Sequence, residues 1–190
     1  MDKYSNFNQL QESEAEGVDY EIVVTTRKTS RVAVIAPHGG KIEPWTAELA
    51  EAIAGDEFNI YCFRGIKKKR NGDLHIISRN FDEPKCLSFL KTQDVVVAFH
   101  GCNKKGERIL LGGRDNKLID ELAEALKAVG IAAETSGHEF KGTNAANICN
   151  RGATHAGAQF ELSMAFRKGP NGAKFVKAVR DVLKRRHNAT

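Results

Sequence analysis

The stretch Val32-Ala33-Val34-Ile35-Ala36-Pro37-His38-Gly39-Gly40-Lys41-Ile42-Glu43-Pro44 decides the fold class. Five small or branched apolar residues in succession predict a strand covered on both faces, because such strands run continuously apolar instead of alternating. Proline ends the run and His38 follows. Two glycines and Glu43 come next, and Pro44 is placed to open a helix at its first position, where a missing N–H costs nothing. Strand, glycine loop and proline-started helix are the parts of an α/β unit, which binds ligands beyond the carboxyl ends of its strands. His38 and Glu43 on that loop fit two ligands of a zinc ion. The rest of the chain must then supply a third ligand and a base.

A second run, Asp94-Val95-Val96-Val97-Ala98-Phe99, ends the same way, in His100-Gly101. If the two strands are parallel neighbours, about 4.8 Å apart, both imidazoles emerge at one edge of the sheet. His38, Glu43 and His100 then form a set of two histidines and a glutamate that leaves one metal position for water. Taken singly, a histidine after a strand is more often a hydrogen-bonded structural residue; the shared context of the two, with Glu43, favours a metal site. Glu161 lies in Gln159-Phe160-Glu161-Leu162-Ser163, and its side chain alternates away from its apolar neighbours. A glutamate there needs a partner or a purpose; it is the candidate general base, against the alternative of an exposed, salt-bridged glutamate. Arg151, beside Asn150 in a Gly/Asn-rich loop, is suited to gripping a carboxylate or polarising a carbonyl, or is simply a surface arginine. His75, Asn80 and Asn150 are placed near substrate. His138 and His155 compete for the metal from irregular segments, and His187 sits in a basic tail.

Outward from these motifs the chain alternates strands and helices. Helices are expected over 4–17 (capped by Ser5), from Pro44 to Gly55 with Trp45, Leu49 and Ile53 on its apolar face, over 82–91 (capped by Asp82), over 117–129 and over 172–186. Strands are expected at 19–25, 32–36, 57–63, 94–99, 107–112, 131–134 and 159–163, the first two as a hairpin across Arg27–Ser30, and 74–78 as a short strand or extended segment. The pattern predicts one α/β domain over residues 1–190, three-layer α/β/α with a mixed central sheet. At 41% hydrophobic and 28% charged residues the composition is that of an ordinary globular chain, which excludes a disordered or membrane-embedded one. The net charge of +5 suits a polyanionic substrate without being a nucleic-acid signature. Cys62, Cys86, Cys102 and Cys149 lack metal or redox spacing and are expected as reduced core residues. With no signal peptide and no apolar run long enough to span a bilayer, the expectation is a protein made in the cytoplasm, with no membrane partner.

Four segments together resemble one family: Ala36-Pro37-His38-Gly39-Gly40-Lys41-Ile42-Glu43-Pro44; Leu74-His75-Ile76 with Asn80-Phe81-Asp82-Glu83-Pro84; Phe99-His100-Gly101; and Gln159-Phe160-Glu161-Leu162-Ser163. That family is the poly-γ-glutamate hydrolases of phages and prophages, which look like compact relatives of the zinc carboxypeptidases. The resemblance runs from about Gly17 to the last helix. It implies a carboxypeptidase-like fold, one zinc per chain on His38, Glu43 and His100, catalysis by Glu161, and hydrolysis of γ-glutamyl amide bonds in a capsule polymer. The gap between His38 and Glu43 is longer than in the larger carboxypeptidases, and Asn150-Arg151 is out of order with their Asn-Arg pair. A role for Arg151 is therefore not carried by the motif. An anionic polymer matches the basic run Lys67-Lys68-Lys69-Arg70. The expected enzyme is a monomer, released on phage-induced lysis, with nucleic acid not its partner. Two rival readings are a zinc amidase or deacylase acting on a small acylated amino acid, and a non-enzymatic phage protein that binds nucleic acid.

Overall fold

In the computed structural model, which describes residues 2–188, six strands form one mixed sheet. They are β1 (Tyr20–Thr25), β2 (Val32–Gly40), β3 (Asn59–Gly65), β4 (Val95–Cys102), β5 (Ile109–Gly113) and β6 (Ala158–Ser163). The order across the sheet is β1-β3-β2-β4-β6-β5. The inner four run parallel, while β1 and β5 close the edges antiparallel. From β2 the chain passes to β3 on one side, whereas β4 lies on the other and leads to β6. The strand order therefore reverses between β2 and β4, which is where open α/β sheets bind ligands.

Six helices cover the sheet: α1 (Phe7–Gln11), α2 (Thr46–Ala54), α3 (Pro84–Leu90), α4 (Asn116–Ala128), α5 (Met164–Lys168) and α6 (Gly172–His187). Val32, Val34, Ala36, Val95, Val97, Phe99, Phe160 and Leu162 pack on α2, α4 and α6. Ala33, Ile35, Val96 and Ala98 face the other way, onto α1, α3 and the segment holding Leu74, Ile76 and Phe81. The central strands are thus buried on both faces, as their continuous apolar runs require. This is the three-layer α/β/α arrangement expected. All four cysteines are free and buried.

Several local expectations are corrected. The hairpin of β1 with β2 does not form, because β3 lies between them. The turn after β1 is instead stapled by buried Asn59. Its Oδ1 accepts from the Arg27 N–H, and its Nδ2 donates to the Ser30 carbonyl at 2.8 Å and to Gln93 at 2.7 Å. The first helix is short and capped by Asn6, not Ser5. Asp82 serves that same helix, accepting from the Phe7 N–H at 2.7 Å. The cap of α3 is Glu83, which accepts from the N–H groups of Lys85 and Cys86. Helix α2 begins at Thr46 because Trp45 takes a left-handed conformation at φ 71°. The indole is consequently exposed and lies under Lys168 Nζ. Residues 131–134 form no strand, only a bridge from Glu134 to Leu110. His187 is not in a free tail: it ends α6 and lies edge-on to Phe58.

The basic run is partly spoken for. Lys67 Nζ bonds Glu14 at 2.5 Å, and Glu14 also accepts from Tyr4 Oη at 2.7 Å and Lys3 at 3.1 Å. Burial alone would raise the Glu14 pKa, but Lys67, Tyr4 and Lys3 outweigh it and pull it from 4.5 to about 2. A carboxyl depressed in this way stabilises the fold above its unfolded pKa, and that stability is lost as pH falls through the folded value. Glu14→Gln is expected to lower stability at neutral pH by about 1–3 kcal/mol. It should also flatten the loss of stability between pH 4.5 and about 2. Urea titrations of both proteins across that range check this.

Candidate metal centre

The site begins with one extra residue in β2. Between Ala36 and Gly39 this strand advances three positions while β3 advances two, from Cys62 to Arg64. Strict alternation would send His38 after Val34 and Ala36 onto the α2 face. The bulge turns it to the opposite face, where its ring lies 5.0 Å from His100, 4.1 Å from His75 and 6.0 Å from Phe81. Pro37 explains the bulge: with no N–H it cannot pair inside a central strand. The β2–β4 ladder stops at Ile35 and Ala98, so the strands part just below the two histidines. On the far side of β4, His100 is the register partner of Glu161 in β6, and the two side chains share a face.

Glu43 reaches back from the loop, where its Oε2 accepts from the Gly101 N–H at 2.8 Å. His38 Nδ1 lies 3.4 Å from that oxygen, His100 Nδ1 3.8 Å from it, and the two nitrogens 3.1 Å from each other. Tetrahedral zinc with ligands at about 2.0–2.1 Å holds its donors roughly 3.3 Å apart, so the triangle is of the right size. The chemistry fits as well. His38 Nε2 donates to the Ile76 carbonyl at 2.8 Å, which leaves the lone pair of the neutral ring on Nδ1. Two ring nitrogens and a carboxylate converging in a buried site need a proton or a cation between them. The charges respond accordingly. Burial would lower the His38 pKa, but Glu43 and the Ile76 carbonyl raise it. Burial beside His38 drives His100 down to about 3. Glu43, despite its burial, is held at about 2 by the two histidines and Gly101. Burial raises Glu161 well above the carboxylate range, with a further push from Glu43 and an opposing pull from Arg167.

His75 offers a second set. Donor atoms of His38, Glu43 and His75 all lie within 4.8 Å of one another. His75 Nδ1, however, is tied to Asp2 at 2.9 Å, and its Nε2 is 3.8 Å from Glu43 Oε1. The His100 triangle is tighter, converges on one carboxylate oxygen, and stands on two strands of the sheet.

The other predicted residues are placed as follows. Asn150 is buried, with Nδ2 donating to the carbonyls of Gly142 and Asn144 and Oδ1 accepting from Gly157; its amide holds the loop and has nothing left for a ligand. Arg151 is exposed, and Asn80 is exposed in the turn after Ile77. Neither lines the cleft that opens over Glu161, which is bounded by Ile77–Arg79 and 139–144. The arginine at the centre is instead Arg167, on α5. It donates to the Leu162 carbonyl at 3.1 Å and to the Pro44 carbonyl, beside Glu43. Gly101 makes room for it, because a Cβ there would lie 2.6–2.8 Å from the guanidinium. The space beside Gly101 is thus filled by Arg167. Gln159 is a further contributor: its Nε2 donates to Glu161 Oε1 at 3.3 Å, and its Oε1 accepts from Asn147 at 2.8 Å. The available signal for Arg167 was Ser163 as N-cap of a helix directly after β6; the signal for Gln159 was its place two residues before Glu161 on the same face.

Comparison with known proteins gives the family. The poly-γ-glutamate hydrolase family matches residues 4–180. YmaC of Bacillus subtilis strain 168 is 40% identical over 164 residues, which cover 85% of this chain and 69% of YmaC. A bacteriophage poly-γ-glutamate hydrolase of known structure is 28% identical over the whole of both chains, with a TM-score of 0.94. The zinc-free apo form of YndL is 31% identical, covering 97% of this chain and 98% of that one, with a TM-score of 0.90.

Arg167 fixes the Glu43 loop from behind, and groups in that position commonly tune metal affinity 10- to 100-fold. Arg167→Met, which removes the guanidinium, and Gly101→Ala, which displaces it, should both weaken zinc binding by about that factor. Competition with a chromophoric chelator measures this, and wild-type affinity in both variants would refute the clamp.

Proposed function

Because the chain belongs to the poly-γ-glutamate hydrolase family, we propose that it is a zinc hydrolase that cleaves γ-glutamyl amide bonds within poly-γ-glutamate, acting as a monomer with one zinc per chain. His38, Glu43 and His100 hold the metal. The observation that carries this reading is the triangle of His38 Nδ1, His100 Nδ1 and Glu43 Oε2 with Glu161 as register partner of His100. Zinc bound there would supply a water of pKa near 7 and polarise the scissile carbonyl.

Glu161 takes a proton from the attacking water and returns it to the leaving nitrogen. It is buried yet lines the cleft, and burial raises its proton affinity, which makes the ionised carboxylate a stronger proton acceptor. Gln159 keeps Oε1 oriented. Ser78 Oγ, 3.4 Å from His100 Nε2, steadies the second imidazole. His75 stands beside the metal set, held by Asp2. The basic loop after β3 leaves the same edge of the sheet as the Glu43 loop, since Gly40 and Gly65 are register partners. Its exposed Lys68 and Lys69 gather the polyanion. No helix among the described residues is long and apolar enough to cross a membrane, and release on phage-induced lysis would bring the enzyme to the capsule.

The test is polymer length together with metal content. Zinc-loaded protein should shorten poly-γ-glutamate, and chelation should stop it. Glu161→Gln should keep zinc and lose activity by at least about 10³-fold. His100→Ala should lose zinc, while His75→Ala retains it; the reverse pattern would move the third ligand to His75. A protein that leaves the polymer intact but hydrolyses small acylated amino acids would be an amidase.

A further inference from the structure

The cleft over Glu161 holds two cations that the chemistry above does not use. It measures about 270 Å³, with Gln159 and Glu161 contributing to its lining. One wall is Ile77-Ser78-Arg79 and the other runs from Glu139 to Asn144. Arg79 belongs to the first wall and Lys141 to the second. Among the described residues neither is in an ion pair. Other cations on this surface are paired: Lys104 bonds Glu139 at 2.7 Å, Arg108 bonds Glu134 at 2.8 Å, and Arg70 bonds Asp73 at 2.9 Å. Glu139 on the cleft wall is paired with Lys104, so the carboxylate that remains in the lining is Glu161 itself.

Both walls are fixed at the backbone. The Ile77 N–H donates to Asp2 at 2.6 Å, and the Ser78 carbonyl accepts from Ile148 at 3.0 Å. Opposite, the Lys141 carbonyl accepts from Gly113 at 2.8 Å and the Gly142 carbonyl from Asn150 at 2.7 Å. Arg79 and Lys141 therefore stand on rigid supports, and both line this one opening. The substrate class has a matching feature. In a γ-linked glutamate chain, the carbon bonded to the scissile nitrogen carries a free carboxylate. In an α-linked chain that carbon carries the next amide, and the carboxylate sits at the end of a flexible side chain. A cation fixed beside the scissile bond thus distinguishes the two linkages, and arginine does so through paired hydrogen bonds.

We propose that Arg79 and Lys141 form a subsite for the α-carboxylates flanking the scissile amide, and that this pair, not the metal centre, selects the γ linkage. The proposal rests on the hydrolase reading above, but its test does not need turnover. In the zinc-loaded Glu161→Gln background, binding of a γ-linked glutamate oligomer is compared with that of an α-linked oligomer of equal length. The γ-linked oligomer should bind more tightly. Adding Arg79→Gln or Lys141→Gln should weaken γ binding about tenfold each, and the two together should erase the preference. Zinc content and unfolding midpoint confirm that each variant is intact. In active enzyme the same substitutions should raise KM about tenfold with kcat nearly unchanged. A preference for the γ oligomer that survives in the double variant overturns the subsite, even if wild-type protein degrades the polymer. Polymer left intact by wild-type enzyme, with the binding preference present and lost in the double variant, upholds the subsite and overturns the hydrolase reading.

Discussion

Everything at the functional edge depends on a mismatch of one residue between β2 and its neighbour β3. A strand that kept its alternation through Pro37 would bury His38 against α2 and leave His100 alone with Glu43. The bulge costs part of a ladder in the middle of the sheet, and the structure tolerates it because Pro37 had no N–H to contribute. From that point the chain gains a continuous working surface. Histidine from β2, histidine from β4 and glutamate from β6 stand side by side on one face, each on a rigid element. The apolar residues preceding them hold the opposite face against α2, α4 and α6.

Around this surface the packing is arranged to hold a set of donors that repel or neutralise one another when no cation is present. Glu43 is kept ionised, His38 tends toward protonation and His100 away from it. They remain close because each is tied from outside: His38 to the Ile76 carbonyl, Glu43 to the Gly101 N–H, and the Glu43 loop through Arg167 to the end of β6. The left-handed backbone at Trp45 belongs to the same construction. It turns the chain from the Glu43 loop into α2 at a conformational cost of about 1–2 kcal/mol, and strain of this kind is sustained only where neighbouring contacts enforce it. Metal binding in such a site displaces protons and is coupled to the stability of the loop.

The parts legible in the sequence were those with local periodicity. The runs Val32–Ala36 and Val95–Phe99 announced buried strands, and their shared ending in histidine and glycine pointed to one edge of the sheet. Glu161 was visible because it alternated with Phe160 and Leu162. What escaped depended on contacts distant in sequence. The turn that leads from β1 past β3 to β2 is stapled by the buried amide of Asn59, which looks like any turn asparagine. Arg167 was hidden in a five-residue helix with no periodicity, and its role depends on an empty Cβ position at Gly101, far away in the chain. Arg151 and Asn150 drew attention through the composition of their loop. Composition does not show that the amide is already spent on Gly142, Asn144 and Gly157, or that Arg151 is not among the residues lining the cleft.

The chain has a single tryptophan, and the fold has put it two residues after Glu43, with an exposed ring beneath the Lys168 ammonium. Ultraviolet emission excited at the red edge of the protein band therefore comes from one place, the hinge between the Glu43 loop and α2. Lys168 follows Arg167 directly on α5, so the same indole is in contact with the helix that carries the clamp. Movement of the loop changes the water and the positive charge around the ring, whereas the three tyrosines contribute little at that wavelength. The protein thus carries an internal optical reporter on the one segment whose position the donor set depends on, and no label is needed to follow it.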